Sequence, residues 1–85
     1  MSGVMQRTLA ILERLAHEAH GLPLATLADD LAMHRSAAHR LLTELTDLGY
    51  VCQTRERGDY RLTTKLITLG MAQLRLGGVS DVVLP

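Results

Sequence analysis

Apolar and polar positions recur at helical spacing over most of the chain, most clearly between residues 24 and 48. The apolar residues there lie three, four or seven apart within two segments, which gives each segment one stripe: Leu27, Leu31, Ala38, Leu41, Leu42, Leu45 and Leu48. The small residues Ala28 and Ala32 fall at the face and at the corner where two such helices would cross. The pattern therefore predicts two short amphipathic helices joined by a tight corner.

The remaining elements follow from the same spacing and from its breaks. We predict helices at about 4–19, 25–31, 35–48 and 64–76, no more than an edge strand at 22–24, and strands at 50–54 and 60–63. The first helix is assigned one apolar stripe, consisting of Met5, Leu9, Leu12, Ala16 and Ala19. Gly21 and Gly49 are the expected stops after the first and third helices. The two longer strands enclose a polar, glycine-containing loop and so predict a hairpin packed on the helices.

This order of elements is that of a winged helix–turn–helix domain. The fold class is mainly α with a small β-hairpin: a three-helix core, a wing and a C-terminal linker helix. We expect residues 1–78 to form this domain, with the helix–turn–helix at about 24–48 and the wing at about 50–63. Residues 79–85 have an apolar composition that suggests the start of a linker to a further domain.

Composition restricts the class of protein. Eighty-five residues suffice for one small domain, whose core must be aliphatic because the chain has 17 leucines, no Trp and no Phe. The single cysteine, Cys52, excludes an internal disulfide framework and fits a reducing cytoplasm. The N-terminus has no uninterrupted apolar run of the kind found in secretory signals, and no apolar stretch is long enough to span a membrane. We therefore expect a cytoplasmic domain.

The distribution of charge is more informative than its total. The net charge is zero, but residues 1–32 carry two Arg and four acidic residues, whereas residues 33–65 carry six Arg or Lys and four acidic residues. The second region has a balance of +2, which weakly favours a polyanionic partner.

The sequence offers no arrangement suited to catalysis. It has no Ser-His-Asp pattern, no phosphate-binding glycine loop and no paired carboxylates in an apolar setting. His17 and His20 are three residues apart, but no third ligand completes a metal set. We predict neither enzymatic activity nor a cofactor or metal.

The polar side of the third predicted helix carries the candidate chemistry. A helix–turn–helix places the leading turns of its second helix in the DNA major groove. The candidate contacts on this helix are Arg35, Ser36, Ala37, His39, Arg40 and Thr43. Arg40 is the first choice for a bidentate guanine contact or a phosphate clamp, Ser36 could bind a phosphate, and Ala37 could touch a thymine methyl. Arg55 and Arg57, in the hairpin loop, are candidate wing contacts to the DNA backbone or minor groove.

Several short motifs together resemble the N-terminal domain of IclR-type bacterial transcription regulators. They are Arg35-Ser36-Ala37-Ala38-His39-Arg40-Leu41-Leu42, Leu48-Gly49-Tyr50-Val51, Tyr60-Arg61-Leu62 and Leu69-Gly70, and the first helix with Arg7, Leu9, Ile11, Leu12 and Leu15 also fits. Two positions depart from the family pattern: Ala32 replaces the usual corner glycine, and His34 replaces a frequent proline. Alanine is tolerable at the corner if Ala32 stays right-handed.

The resemblance implies double-stranded DNA as the partner, in the form of a palindromic operator bound by a homodimer or homotetramer. It also implies that a small-molecule effector, an organic acid or similar metabolite, acts through an effector-binding domain that this chain lacks. Leu66, Leu69, Leu74 and Leu76 give the last helix more apolar surface than a terminal helix needs. They suggest dimer formation through the first and last helices.

Two alternatives remain at this stage. The domain could belong to another winged-helix regulator family, MarR-like or ArsR-like, although a MarR-like chain usually has a longer, more arginine-rich wing. It could also be a winged helix used only for protein–protein contact, which the weak net charge and the apolar tail would suit. The positions of Arg35 and Arg40 favour DNA over this second alternative.

Overall fold

The computed structural model describes residues 3–55 and 58–77. The elements are α1 (Val4–Leu15), α2 (Leu24–Asp30), α3 (Arg35–Asp47), β1 (Val51–Gln53), β2 (Tyr60–Leu62) and α4 (Lys65–Arg75). This is the predicted mainly helical fold with an antiparallel hairpin, a winged helix–turn–helix. Arg57 and the proposed linker at 79–85 lie outside the described residues. No helix in the described ranges has the length and apolar character needed to cross a membrane.

The core forms where α1, α2, α3 and the hairpin meet. Its buried residues are Ile11, Leu15, Leu27, Leu41, Leu42, Leu45, Val51 and Tyr60. The stripes predicted for α2 and α3 are buried as expected except at Leu31, which is partly buried against the core, and at Leu48, which follows the last turn of α3 and is 61% exposed. Among the described residues, no polar or charged residue other than Tyr60 is buried, so packing of aliphatic side chains dominates this core.

The corner between α2 and α3 corrects the expectation for Ala32. Ala32 has a φ of +54°, in the left-handed region. The amide of Met33 donates to the carbonyl of Ala28 (2.8 Å), and the amide of Ala32 donates to that of Asp29 (3.2 Å). These two bonds form the Schellman motif, whose residue after the C-cap is left-handed and is usually glycine. Ala32 adopts this conformation because the corner must satisfy the last carbonyls of α2 within three residues.

The first helix differs from its prediction in both length and buried face. It ends at Leu15 rather than Ala19. Residues 16–21 leave the helix in turns, in which amides donate to the carbonyl three residues earlier, and lead toward the hairpin. Its buried residues are Ile11 and Leu15, while Met5 and Leu9, assigned to the stripe, are 70% and 47% exposed. The helix carries apolar residues on two faces, and spacing alone could not show which face meets the core.

The hairpin is held against α1 and α2 by one extra pairing. In β1 and β2, Val51 faces Leu62 and Gln53 faces Tyr60. Leu22 then pairs with Tyr60 as an isolated bridge, with two backbone hydrogen bonds of 2.9 and 2.8 Å. Gly21, beside this bridge, has a φ of +83°, and a Cβ at this position would clash with the carbonyl oxygen of Tyr60. The close approach of the two backbones therefore requires glycine.

Polar contacts attach the start of α4 to the end of α3. The hydroxyl of Thr63 donates to the carbonyl of Gly49 (2.6 Å) and accepts the amide of Lys65 (3.2 Å). The Nζ of Lys65 donates to the carbonyl of Leu48 (2.9 Å) and lies 4.6 Å from the centroid of the Tyr50 ring. Thr64, the N-cap residue, makes no side-chain cap. Helix α4 continues through Gly70 and contains no buried residue.

We expect Ala32→Gly to stabilise the domain by about 0.5–1 kcal/mol. Glycine relieves the left-handed strain of an L-residue, about 1–2 kcal/mol, and part of this gain is offset by the greater freedom of the unfolded chain. Urea denaturation measures the change. The matched control is Ala10→Gly in the right-handed interior of α1, which should lose about 1 kcal/mol. Equal destabilisation by both variants would contradict the left-handed corner.

We expect Gly21→Ala to destabilise the domain by about 2–4 kcal/mol, because the new Cβ meets the Tyr60 carbonyl and the φ is unfavourable for alanine. Gly70→Ala is the control, since a Cβ there meets nothing within 4 Å inside a helix. It should add about 1 kcal/mol of stability. Thermal unfolding of the two variants should thus shift in opposite directions, and a neutral Gly21→Ala would be inconsistent with the bridge.

Candidate nucleic-acid interface

The exposed side of α3 presents most of the predicted contacts together. The burial of Ala38, Leu41, Leu42 and Leu45 fixes the rotation of this helix about its axis. Five of the six candidate side chains on α3 are therefore exposed to solvent: Arg35, Ser36, His39, Arg40 and Thr43. The sixth, Ala37, is half-buried at the edge of this surface. Packing of the apolar stripe thus creates a connected polar and basic face on the leading turns of the helix.

The start of α3 leaves its first amides without a side-chain cap. His34 is the N-cap residue, with extended backbone (φ −66°, ψ 143°), and its side chain makes no cap hydrogen bond. Amides of the first helical turn have no partner within the helix, and the helix dipole makes this end positive. Ser36 is exposed in the same turn. This end of α3 can accept an anionic oxygen as a hydrogen-bond partner.

The hairpin lies along one side of α3. A cleft of about 170 Å³ separates them, and its lining residues are His39, Thr43, Thr46, Asp47, Gln53 and Tyr60. In the loop, the side-chain amide of Gln53 donates to the carbonyl of Gly58 (3.1 Å), and the Gly58 amide donates to the carbonyl of Arg55 (2.8 Å). Arg55 is exposed beside this turn. The structure therefore places Arg55 on the hairpin flanking α3, as predicted, and does not describe Arg57.

The first turns of α1 lie along the other side of α3. A cleft of about 210 Å³ separates them, and its lining residues are Val4, Arg7, Ala37, Arg40, Leu41 and Glu44. The Nε atom of Arg7 is buried and has no hydrogen-bond partner. Sequence reasoning did not select Arg7 as a contact, because its position next to Arg40 depends on how α1 crosses α3. The only signal in the sequence was a cation within the first two turns of the first helix.

Arginines on the candidate face differ from Arg14 in their pairing. The guanidinium of Arg14 donates to the carboxylates of Glu18 (2.8 Å) and Asp30 (3.1 Å), and these hydrogen bonds, that to Glu18 first, raise its pKa. Within residues 3–55 and 58–77, these are the only ion pairs. Arg35 and Arg40 are thus free of carboxylate partners among the described residues, and a polyanion need not displace one to reach them.

Comparison with known proteins agrees with this geometry. The sequence model of a protein family, the IclR helix-turn-helix domain, matches residues 4–55. Over 79 residues, the chain is 37% identical to the DNA-binding transcriptional repressor YiaJ of Escherichia coli, an alignment that covers 93% of the chain and 28% of YiaJ. The chain therefore spans less than a third of the length of this relative.

Solved structures give the same result. An IclR family transcriptional regulator from Brucella abortus superposes with a TM-score of 0.75 at 25% identity, covering 88% of this chain and 28% of the regulator. HmgR of Pseudomonas aeruginosa superposes with a TM-score of 0.71 at 28% identity, covering 84% of this chain and 29% of HmgR.

The alternative of a MarR-like or ArsR-like family is not supported, because the matching model and these relatives agree on one family. That model covers more than half of the chain, and it includes α1, the whole helix–turn–helix and β1. The chain belongs to the IclR helix-turn-helix domain family and is an IclR-type DNA-binding domain.

Proposed function

We propose that this domain recognises a specific double-stranded DNA site by placing the first half of α3 in the major groove. The observation that carries the proposal is the row of exposed polar and basic side chains on the leading turns of α3. The hairpin on one side and the first turns of α1 on the other frame this row. An α-helix about 10–12 Å wide fits a groove about 12 Å wide.

Within this arrangement, Arg40 reads guanine or clamps a phosphate. Its guanidinium is exposed and has no carboxylate partner among the described residues. Only arginine offers the planar donor fork that matches the O6 and N7 atoms of guanine. Ser36 and the uncapped first turn bind a phosphate, and His39 and Thr43 face the edges of the bases. Ala37, at the border of the surface, touches a thymine methyl.

The second half of α3 stays outside the groove. Glu44 and Asp47 are exposed there and would repel phosphate. The wing completes the interface, with Arg55 and Arg57 contacting the backbone or the minor groove. Arg55 is suited to this role because it is exposed on the hairpin loop that flanks α3.

The assembled regulator is a cytoplasmic, non-enzymatic homodimer or homotetramer on a palindromic operator. Exposed apolar side chains on the outer helices support an assembly role; they are Val4, Met5 and Leu9 on α1 and Ile67, Leu69, Met71 and Leu74 on α4. A small-molecule effector acts through a separate domain in the full-length protein. The length of the relatives, of which this chain spans less than a third, leaves room for such a domain.

We expect Arg40→Ala to weaken binding to the specific site by about 1–3 kcal/mol, the value of one bidentate base contact. Duplexes selected from a random library by the wild-type chain serve as probes, and fluorescence anisotropy measures the Kd. Binding to unselected duplexes should fall much less than binding to selected ones, so the specificity ratio should shrink.

Arg75→Ala is the matched control for this measurement, since Arg75 is an exposed arginine in the last turn of α4, far from α3 in sequence. Its specific affinity should stay close to that of the wild type. An Arg40→Ala variant with unchanged specific affinity would remove Arg40 from the set of base contacts.

We expect Arg55→Ala to weaken binding to selected and to unselected duplexes equally, because a backbone contact carries no sequence information. Removing one phosphate contact should make the negative slope of log K against log salt shallower by about 0.9. Titrations between 50 and 200 mM salt measure this slope. A loss confined to the selected duplex would instead make Arg55 a base-reading residue.

A further inference from the structure

The cleft between α1 and α3 contains an arginine whose hydrogen-bonding capacity is not used. Arg7 is half-buried, and its Nε atom is inaccessible to solvent without any hydrogen-bond partner. Leaving a buried donor of a charged group unpaired costs folding free energy. Arg7 belongs neither to the buried core nor to the helix–turn–helix corner, so its guanidinium is left to serve a ligand in the cleft.

Glu44 is the one acidic residue among those that line this cleft. Arg7 nevertheless forms no ion pair with Glu44, or with any other described residue. The cleft instead brings Arg7 together with Arg40, which is also unpaired among the described residues. Two arginines and one glutamate give this site a net positive charge, which attracts an anion.

The position of the cleft identifies the anion. A helix that fills the major groove leaves the elements on its two sides facing the two phosphate strands that wall the groove. The hairpin occupies one side of α3, and the first turns of α1 occupy the other. A guanidinium on the α1 side therefore faces backbone phosphates, which match the planar donor fork of arginine.

We propose that Arg7 is a DNA-backbone contact supplied by the first helix, which binds a phosphate in the cleft that it shares with Arg40. This inference rests on the docking of α3 proposed above and adds a third element to the interface, besides α3 and the wing. The phosphate supplies acceptors for the guanidinium of Arg7, which has no carboxylate partner among the described residues. Glu44, in the same cleft, opposes this contact.

The test compares Arg7→Met, which keeps the length and apolar character of the stem, with Arg7→Lys, which keeps the charge. Each variant of the chain is titrated with a mixed-sequence duplex between 50 and 200 mM salt. Loss of one phosphate contact should make the negative slope of log K against log salt shallower by about 0.9 in Arg7→Met. The factor by which Arg7→Met binds more weakly than the wild type should therefore shrink about 3.5-fold as the salt concentration rises from 50 to 200 mM. Arg7→Lys should retain most of the slope.

Arg75→Met is the matched control and should keep the wild-type slope, and thermal unfolding shows whether each variant is folded. A folded Arg7→Met with the wild-type slope would overturn the inference while leaving the docking of α3 intact. A wild-type chain without salt-dependent DNA binding would overturn the docking itself.

A second variant covers the case in which Arg7→Met does not fold. Glu44 is an exposed residue of α3 that lines the cleft, and Glu44→Gln removes its opposing charge. It should bind the mixed-sequence duplex several-fold more tightly at 50 mM salt, because the neighbouring phosphate no longer meets a carboxylate. Unchanged affinity would mean that the cleft does not face DNA and would overturn the inference.

Discussion

The crossing of α2 and α3 is the constraint on which the rest of the domain depends. Ala28 is fully buried at this crossing, and its carbonyl accepts the amide that closes the corner. A larger side chain there would push the helices apart, and a different corner would change the direction in which α3 leaves α2. Because the stripe of α3 packs into the resulting groove, this contact also sets which residues of α3 face solvent.

Helix α3 is held at both ends by polar backbone contacts. The Schellman corner fixes its start, and the bonds from Thr63 and Lys65 to the carbonyls of Gly49 and Leu48 fix the residues after its end. Between these points, four buried aliphatic residues hold its inner face. An exposed surface that must present several side chains at once requires such a rigid support, because each degree of freedom at the interface lowers affinity.

The sequence could predict the elements whose apolar residues lie on one face only. The stripes of α2 and α3 were confirmed except at Leu48, which is exposed, and at Leu31, which is only partly buried, and the hairpin was found where Gly58 and the flanking β-like runs placed it. It could not choose between the two apolar faces of α1, because that choice depends on which face meets the core. The left-handed Ala32 and the cleft at Arg7 were missed for a related reason: both arise from the crossing of helices.

The aliphatic composition of the core has a consequence for how the family can diverge. Leucine, isoleucine and valine impose no directional hydrogen bonds, so exchanges that keep the total volume cost less than about 1.5 kcal/mol. The interior can therefore drift in sequence without moving α3. Gly21 has no such freedom, because its substitution meets the backbone of Tyr60 and not a side chain that could repack. Volume-conserving exchanges of aliphatic residues are thus tolerated in the interior, whereas the close approach of two backbones at position 21 requires glycine.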